Sequence, residues 1–428
     1  MEERIAICEG LRTPFAKVGG SLADYSADEL GALCLKELLE RSHLDSSLID
    51  EVIIGNVAQP AHAANIARVI ALKANLPEHI PAYTVHRNCA SGMESLTTAS
   101  QKILSGQAEI VVAGGTESMS NIPFLYSDKM KAFFEKLFKA KRVGQKMAVL
   151  SQFRLHFLKP VIGVLAGLTD PVCGLVMGLT AENLAKEFKV NRDEQDRYAL
   201  QSHQKAVQAT QKGILQEEIM LFYKKDLKTL VPTDEGPRTD QSLDALRKLR
   251  PYFDRRNGTV TVGNACPLTD GAAMTIVMKE SKAKDLNLPV LGYIRGAAYA
   301  GLEPERMGLG PVYASSKVLS QLHLSMKDID LVEINEAFSA QILANLRAFS
   351  SDSFARKCLG KDKAVGEIDP DTLNVNGGAI ALGHPVGTSG TRIILTLLKE
   401  LRRRHLNRGL ATLCIGGGQG GAVVLEVV

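Results

Sequence analysis

The stretch Tyr83-Thr84-Val85-His86-Arg87-Asn88-Cys89-Ala90-Ser91-Gly92 carries the pattern that decides the fold class. It begins as a strand, turns through small and polar residues at Cys89, and continues as a helical segment from Gly92 to Leu104. Glu109-Ile110-Val111-Val112-Ala113-Gly114-Gly115 follows as a buried strand that ends in glycines. Strand, helix and strand in this order predict parallel pairing with a helical crossover, and therefore an α/β fold.

The same order of elements recurs towards the C-terminus. Asp330–Asn335 resembles the earlier strand Glu51–Asn56, and a second helix is predicted from Gly390 to Leu401. Leu410–Gly417 then repeats the strand that ends in glycines. This repetition predicts an internal duplication, in which each half places a loop at a helix start or a strand end, where open α/β sheets carry their sites.

The chain between the two repeats, roughly 120–255, has a different composition. Lys129–Leu150 interleaves basic residues with Phe and Leu, which predicts an amphipathic basic helix. An apolar, glycine-rich run to Leu179 follows, and a single charged helix is predicted from Ala181 to Lys212, with Gly213 as its C-cap. We interpret the block as an insertion that covers the site.

Length, charge and cysteine content exclude several classes of protein. The 428 residues suffice for a large core, and a net charge of +4 gives no case for a nucleic-acid partner. The seven cysteines show neither a disulfide framework nor zinc-ligand spacing, so we expect no metal and a reducing compartment. Ile5-Ala6-Ile7-Cys8 reads as a strand rather than a signal peptide, and Val161–Leu168 is far shorter than the roughly 20 residues of a spanning helix.

Two residues suggest a nucleophile and its base. Cys89 lies where a strand passes into a helix, and a helix N-terminus is expected to lower the pKa of its thiol. His384 lies in Gly383-His384-Pro385-Val386-Gly387, a turn in which an imidazole can accept the thiol proton and later stabilise an oxyanion. A buried structural cysteine and a surface turn histidine are the alternatives for either residue taken alone.

Three further residues suggest an acid and oxyanion donors. Cys414 ends a strand and precedes a run of glycines, in which successive N–H groups can hold an anionic oxygen, with Gly416 as the candidate donor. Asn335 ends another strand, where its amide can hold a water or donate to an oxyanion. An Asn that satisfies only its own turn is the alternative.

These motifs together resemble those of the thiolase family. Asn-Cys-Ala-Ser-Gly at 88–92, Asn-Glu-Ala-Phe at 335–338, Gly-His-Pro at 383–385 and Cys-x-Gly-Gly-Gly at 414–418 occur in the family's order. The resemblance extends to Arg12-Thr13-Pro14-Phe15 and covers nearly the whole chain.

The resemblance implies the thiolase fold, with two similar α/β halves in five layers (αβαβα) and an inserted loop domain. The expected division is an N-terminal half at 1–120 with a return segment at about 256–285, the insertion at 121–255, and a C-terminal half at 286–428. Cys89 would be the acylated nucleophile, His384 its base and Cys414 the second acid and base. Asn335, through a water, and His384 would form one oxyanion hole, and the N–H groups of Cys89 and Gly416 the other.

Within the family, the insertion resembles the β subunit of the fatty-acid oxidation trifunctional complex. That likeness implies thiolytic cleavage of medium- or long-chain 3-ketoacyl-CoA in β-oxidation, CoA as co-substrate without a permanent cofactor, and a homodimer or tetramer. A hydratase/dehydrogenase subunit is a candidate partner. The basic segment 129–150 also suits peripheral contact with an anionic membrane. We expect a bacterial cytoplasmic protein, with an organelle matrix or membrane association as alternatives.

The candidate substrate-binding residues are Met177, Arg238 and Cys266. Two of them lie at or next to departures from the pattern of short-chain thiolases. Cys266 stands where many short-chain thiolases have Ser, and Val176, next to Met177, replaces a His common in acetoacetyl-CoA thiolases. Arg238 is a candidate for contact with a CoA phosphate. The alternatives are an acetoacetyl-CoA thiolase working in the condensing direction and a non-catalytic lipid-transfer or scaffold subunit, which predicts a broken set of site residues.

Overall fold

Alternating strands and helices make up most of the chain in a computed structural model that describes residues 3–427. The strands are β1 (Ile5–Arg12), β2 (Ala16–Lys17), β3 (Glu51–Gly55), β4 (Ala82–Val85), β5 (Ile110–Ser118), β6 (Phe124–Leu125), β7 (Val161–Ile162), β8 (Phe222–Tyr223), β9 (Leu230–Val231), β10 (Thr269–Lys279), β11 (Gly292–Gly301), β12 (Leu331–Ile334), β13 (Arg408–Ile415) and β14 (Gln419–Glu426). The α-helices are α1 (Ala27–Ser42), α2 (Ile66–Lys73), α3 (Ser91–Leu104), α4 (Asp128–Lys139), α5 (Val143–Leu150), α6 (Gly163–Gly167), α7 (Met177–Glu187), α8 (Arg192–Gln211), α9 (Leu243–Arg247), α10 (Glu280–Asp285), α11 (Gly310–Gln321), α12 (Ser339–Phe349), α13 (Asp352–Phe354), α14 (Ala379–Leu382) and α15 (Ser389–Arg404).

The main sheet consists of two similar halves that meet edge to edge. Its order is β12-β13-β14-β11-β1-β10-β5-β3-β4, with β2 added beside β10. In the first half β3 runs parallel to β4 and β5, and β5, β10 and β1 pair antiparallel. In the second half β12 runs parallel to β13, and β13, β14 and β11 pair antiparallel. The repeated pairing confirms the predicted duplication.

Side-chain alternation along the strands separates the layers. On β5, Ile110 and Val112 pack beneath α1 and α2, whereas Val111 and Ala113 face α3 and α15. On β13, Leu413 faces the same central helices, and Leu410 packs with α11 and α12 on the far side. Because successive side chains of a strand point to opposite faces, each half of the sheet is buried on both sides. The result is the predicted order of helix, sheet, helix, sheet and helix.

Two of the predicted helices are each split in two. The basic segment forms α4 and α5 with a break at 140–142, and the charged segment forms α7 and α8 with a break after Glu187. At the second break Lys189 has a φ of 54°, and the Asn191 side chain caps α8 by accepting from the Glu194 N–H. Asn191 and Glu194 form a capping box, which is a helix start signal that the prediction of one helix overlooked.

Gly213 follows the last turn of α8 with a φ of 73°, as expected of a C-cap glycine. None of the helices described within residues 3–427 combines the length and the apolar character that crossing a membrane requires.

Candidate active site

Cys89 lies in a tight loop between β4 and α3, on the N-terminal side of a central helix. Ser91 closes this loop, because its Oγ accepts from the Arg87 N–H (2.9 Å) and donates to the Asn88 carbonyl (2.7 Å). Asn88 has a φ of 44°, in the left-handed region that Asn tolerates better than most residues. The loop therefore holds Cys89 in a fixed, partly exposed position.

The pKa of the Cys89 thiol lies above its ordinary value, contrary to the expectation from its place at a helix N-terminus. Burial raises the pKa, and the Gly416 and Cys89 backbone N–H groups, which donate to the thiolate, lower it by less. Desolvation of a small anion therefore outweighs the helix dipole here. At rest Cys89 is a thiol.

His384 follows α14, after Gly383 with a φ of 105°, and it is buried. Its Nδ1 lies 2.6 Å from Ser389 Oγ, and that hydroxyl donates to the Pro385 carbonyl (3.1 Å). Ser389 therefore accepts from Nδ1–H, which leaves Nε2 as an unprotonated acceptor. Nε2 is buried and has no partner among the described residues. Burial lowers the pKa of His384 to about 4, with a smaller contribution from Arg392, so the ring is neutral.

Cys414 and Gly416 lie at the turn that joins β13 to β14. Cys414 is buried, and burial raises its pKa well above the ordinary value, with smaller contributions from the charges of Cys89 and Cys266. Gly417 and Gly418 have φ values of 88° and 76°, which is why this turn needs glycine. The Gly416 carbonyl accepts from Asn88 Nδ2 (2.8 Å), and this hydrogen bond ties the Cys414 turn to the Cys89 loop.

Asn335 lies just beyond β12 with both polar atoms of its side chain buried. Neither Nδ2 nor Oδ1 has a partner within residues 3–427, which is rare for a buried amide. The neighbouring Glu336 fixes the backbone, because its carboxylate accepts from Tyr198 Oη (2.9 Å) and Ser202 Oγ (2.6 Å) on α8. The free amide can therefore serve a water or a substrate oxygen.

Cys266 and Met177 lie beside these groups. The Cys266 N–H donates to the Ala337 carbonyl (3.1 Å), and burial, followed by the charge of Cys89, raises its pKa to about 12. Met177 lies at the start of α7, where its Sδ would be 3.4 Å from a Cβ placed on Gly416. The structure thus brings three thiols and a thioether to the edge of one site.

Arg238 is placed differently. It lines a groove of about 570 Å³ along α8 with residues such as Gln204, Lys205 and Asp371, and none of the other predicted site residues lines that groove. Among the described residues, the structure shows no direct contact between Arg238 and the thiol groups.

Three residues of the site were not predicted from the sequence. Asn88, inside a recognised motif, holds the turn at Gly416, and Ser389, two residues beyond the His384 motif, holds the ring of His384. Glu117, at the end of β5, accepts from the Gly387 N–H (2.8 Å) in the His384 loop. The signal available for Glu117 was an acidic residue at the end of an otherwise apolar, glycine-rich strand.

Comparison with known proteins agrees with this geometry. Residues 5–281 match the model of the thiolase N-terminal domain, and residues 288–427 match that of the thiolase C-terminal domain. The chain is 42% identical over 426 residues to proteins named 3-ketoacyl-CoA thiolase from Yersinia pestis and Yersinia pseudotuberculosis. These matches cover 99% of this chain and 97% of each relative.

Solved structures of other proteins also show this similarity to thiolases. A human mitochondrial 3-ketoacyl-CoA thiolase in complex with CoA is 37% identical, with a TM-score of 0.85 over 100% of this chain and 98% of that chain. A Bacillus anthracis acetyl-CoA acetyltransferase is 36% identical, with a TM-score of 0.86 over 100% of this chain and 99% of that chain. The chain is therefore an acyltransferase that belongs to the thiolase family.

Proposed function

We propose that this thiolase cleaves medium- or long-chain 3-ketoacyl-CoA with CoA, in β-oxidation, through an acyl group carried on Cys89. The observation that carries the proposal is the buried, unpartnered Nε2 of a neutral His384, together with two thiols, Cys89 and Cys414, that lie close enough for the charge of Cys89 to raise the pKa of Cys414. The names of the most similar relatives support the direction of cleavage and the class of substrate.

In the first half-reaction the Cys89 sulfur attacks the keto carbon as its proton moves to His384 Nε2. The bond between the α-carbon and the keto carbon then breaks, and its electron pair leaves on acetyl-CoA as a carbanion. Cys414 supplies the proton for that carbanion. Its raised pKa suits this task, because the thiol stays protonated until the carbanion forms.

In the second half-reaction the Cys414 thiolate takes the proton of an incoming CoA thiol. The CoA sulfur attacks the acyl carbon on Cys89, and the Cys89 sulfur leaves and regains its proton from His384. The products are acetyl-CoA and an acyl-CoA shortened by two carbons, and both cysteines return to thiols.

Two sets of donors stabilise the oxyanions. The N–H groups of Cys89 and Gly416 already point at the Cys89 sulfur, so they suit the oxygen of a carbonyl attached to it. His384 and the free amide of Asn335 suit the thioester oxygen of the departing enolate. Two oxyanion holes are expected because negative charge builds on two oxygens: the carbonyl oxygen of the group on Cys89 in both half-reactions, and the thioester oxygen of the enolate in the first.

The decisive experiment measures CoA-dependent cleavage of substrates from acetoacetyl-CoA to 3-ketohexadecanoyl-CoA, together with Cys89→Ser and Cys414→Ser variants. Loss of at least about 10³-fold in kcat is expected in both variants. Only Cys89→Ser should lose the covalent acyl adduct in mass spectrometry. Activity on acetoacetyl-CoA alone would move the protein to the short-chain thiolases, and inactivity at every length would support a scaffold subunit.

We propose Met177 and Cys266 as contacts of the substrate near the thioester and Arg238 as a contact of a CoA phosphate. Met177 and Cys266 are supported by their positions beside Gly416 and Ala337. Arg238 is supported by its charge and its place in an open polar groove. An Arg238→Gln variant should raise KM for CoA several-fold with little change in kcat, because it removes uniform binding.

We propose peripheral contact of the segment 129–150 with an anionic membrane. The segment carries seven basic residues and one acidic residue, and it exposes large apolar side chains, with Phe138 85% and Val143 79% exposed. The apolar surface continues beyond it through Leu155, Leu158 and Leu165. Exposed apolar side chains next to lysines are the pattern of interfacial helices.

Vesicle co-sedimentation tests this contact. Binding to vesicles of phosphatidylglycerol and phosphatidylcholine, and none to phosphatidylcholine alone, is expected. A Phe138→Ser, Val143→Ser double variant should lose binding, whereas the control Leu104→Ser, an exposed leucine outside the segment, should retain it. Equal binding by all three proteins would exclude this surface and leave the hydratase/dehydrogenase subunit as its candidate partner.

We propose the division 1–120 with 256–285, 121–255 and 286–428 as the organisation of the chain. It is supported by β10, which returns to pair between β1 and β5. We also propose a homodimer or tetramer, supported by the unpaired edge of β4. The bacterial relatives favour a cytoplasmic location over an organelle matrix.

A further inference from the structure

The two halves of the fold place different residues at the same position next to the site. In the first half Gly55 of β3 pairs with Gly115 of β5, and in the second Ile334 of β12 pairs with Thr412 of β13. In the first half, Asn56 follows Gly55, and Glu117 lies two residues beyond Gly115. In the second half, Asn335 follows Ile334, and Cys414 lies two residues beyond Thr412. By register, therefore, the pair Asn56 and Glu117 is the counterpart of the pair Asn335 and Cys414.

The counterpart pair is joined by a hydrogen bond and both Glu117 oxygens are engaged, whereas Asn56 Oδ1 has no partner among the described residues. Glu117 Oε1 accepts from Asn56 Nδ2 (3.1 Å) and the Ala58 N–H (3.0 Å). Glu117 Oε2 accepts from the Val57 N–H (3.1 Å) and the Gly387 N–H (2.8 Å). Four neutral donors thus converge on one carboxylate that is 1% exposed. These donors favour the ionised carboxylate and lower the pKa of Glu117, but burial has the larger effect and raises that pKa to about 7.

Gly387 is pressed against this carboxylate. A Cβ on Gly387 would lie 2.9 Å from Glu117 Oε2 and 3.0 Å from the Asn56 Cα, so no side chain fits there. Gly387 belongs to the turn whose Pro385 carbonyl accepts from Ser389 Oγ, and Ser389 in turn orients the His384 ring. A displacement at Gly387 would therefore reach His384 through two hydrogen bonds.

We infer that Glu117 is a positioning residue, which fixes the His384 loop of the second half so that Nε2 faces Cys89. The inference rests on the proposed function, in which His384 is the base. It gives the first half, which already supplies Cys89, a second role in the reaction. In the second half these two positions hold Asn335 and Cys414, which meet the substrate. In the first half they hold Asn56 and Glu117, which position the His384 loop.

Glu117→Gln tests the inference, because it keeps the size of the side chain but replaces one accepting oxygen with a donor. We expect kcat to fall about tenfold or more, with both KM values within about twofold. We also expect a looser loop to hydrate the ring and to raise the acid limb of the kcat profile from about pH 4. Two charged groups bear on this profile: Arg392, which lowers the pKa of the His384 ring and stays in place, and Glu117, whose own pKa of about 7 is removed by the substitution.

A matched control and a second variant keep the test decisive. Asp330→Asn removes a carboxylate that accepts from the Asn407 and Arg408 N–H groups next to the opposite end of β12, and it should leave kcat unchanged. If Glu117→Gln does not fold, Gly387→Ala should give the same loss of kcat by displacing the loop. Wild-type kcat and acid limb in a folded Glu117→Gln, or in Gly387→Ala, would overturn the inference.

Titration of the His384 ring by NMR, assigned with a His384→Asn variant, separates this inference from the proposed function. It requires no turnover, so it reports on the position and hydration of the ring even if the substrate class is wrong. A ring pKa raised in Glu117→Gln but not in Asp330→Asn is the expected result. An unchanged ring pKa would overturn the positioning role whatever the enzyme cleaves.

Discussion

At the scale of single residues, Cys89 and His384 are both uncharged at rest. The pKa of the thiol lies above its ordinary value and that of the imidazole is lowered to about 4, in both cases because burial disfavours the charged form. In the proposed mechanism, proton transfer is therefore coupled to attack on the substrate rather than completed beforehand. This arrangement limits reaction of Cys89 with other electrophiles while the site is empty.

The uncharged pair predicts how Cys89 responds to pH. Inactivation by iodoacetamide should become faster up to about pH 9 without a plateau near neutrality, because the reagent reacts with the thiolate. Measurement of the inactivation rate against pH, with the modified peptide identified by mass spectrometry, checks this. A plateau between about pH 5 and 8 would instead show a preformed thiolate–imidazolium pair.

The lowered pKa of His384 also links its burial to stability. The unfolded imidazole binds a proton near pH 6.5, whereas the folded ring binds one only near pH 4. Because the unfolded state then binds more protons, stability is full above about pH 6.5 and falls as the pH drops towards 4. Glu117 acts in the opposite sense, since burial raises its pKa to about 7 and its contribution is lost as the pH rises from about 4.5.

A His384→Asn variant isolates the first of these effects. Its free energy of unfolding should fall less than that of the wild type between pH 6.5 and 4, by about 2 kcal/mol or more, because it lacks the buried imidazole. Denaturant titrations at the two pH values measure this difference. An identical pH dependence in the two proteins would show that other groups dominate acid unfolding.

At the scale of elements, the sequence predicted the central strands and helices closely and the helices of the insertion less well. β5 and α15 were expected within a few residues of their observed bounds because their long apolar patterns are fixed by burial on both sides. The breaks at 140–142 and after Glu187 depend on local capping, which a count of charged and apolar residues does not register. Boundaries set by single caps are therefore the part of the fold that pattern alone misses.

The cap at Asn191 gives a prediction for one of these boundaries. Asn191→Ala should lower the free energy of unfolding by about 1 kcal/mol, because the Glu194 N–H loses its partner at the start of α8. Denaturant titration with Asn287→Ala as a control would measure the loss. Asn191 has a φ of −86°, whereas Asn287 has a φ of 54° and caps no helix start, so a loss at Asn287 would report backbone strain and only the change at Asn191 should expose an unpaired helical N–H.

The α4–α5 pair gives a second prediction at this scale. Its buried residue Phe133 packs with Phe153 and Phe157, and neither Phe133 nor the buried Met130 belongs to one of the main cores. Ser127 Oγ donates to the Phe157 carbonyl (3.1 Å), so the residues that flank 128–156 lie close together. Replacing 128–156 with a short Gly-Ser linker should leave the thermal midpoint within a few degrees of the wild type.

The cleavage activity of the variant that lacks 128–156 then shows whether these residues contribute to substrate binding or to catalysis. Cleavage of acetoacetyl-CoA should persist, because Cys89, His384 and Cys414 lie outside the deleted residues. Cleavage of long-chain substrates should fall if the exposed apolar surface helps to capture them. Loss of activity at every chain length from a folded deletion would show instead that the segment supports the catalytic site.

At the scale of the whole molecule, the active site exists because two repeats meet along their central helices. The sequence indicated both repeats and five catalytic candidates, since each repeat ends a strand or opens a helix with a reactive side chain or a glycine N–H group. It did not indicate that Asn88 would donate a hydrogen bond to Gly416, or that Glu117 would accept one from Gly387, across the boundary between the halves. Contacts between halves depend on packing across the duplication, which no local pattern encodes.

Gly92 is the point at which this meeting of the halves can be tested. It lies on α3 three residues after Cys89, where an added Cβ would be 2.7 Å from Thr391 Oγ1 on α15 and 2.8 Å from the Gly387 carbonyl. Gly92→Ala should therefore force the helices apart, with a loss of about 1–3 kcal/mol in the free energy of unfolding. Because the same shift separates Cys89 from His384, kcat should fall further than stability alone explains.

Gly144→Ala is the matched control, because Gly144 lies within α5 and no atom lies within 4 Å of its added Cβ. It should be neutral or slightly stabilising, since alanine favours a helix over glycine. Denaturant titration and cleavage kinetics at a temperature where both variants are folded separate the two effects. If Gly92→Ala lost stability but kept the wild-type kcat, the spacing of the halves would matter to the fold and not to the alignment of thiol and base.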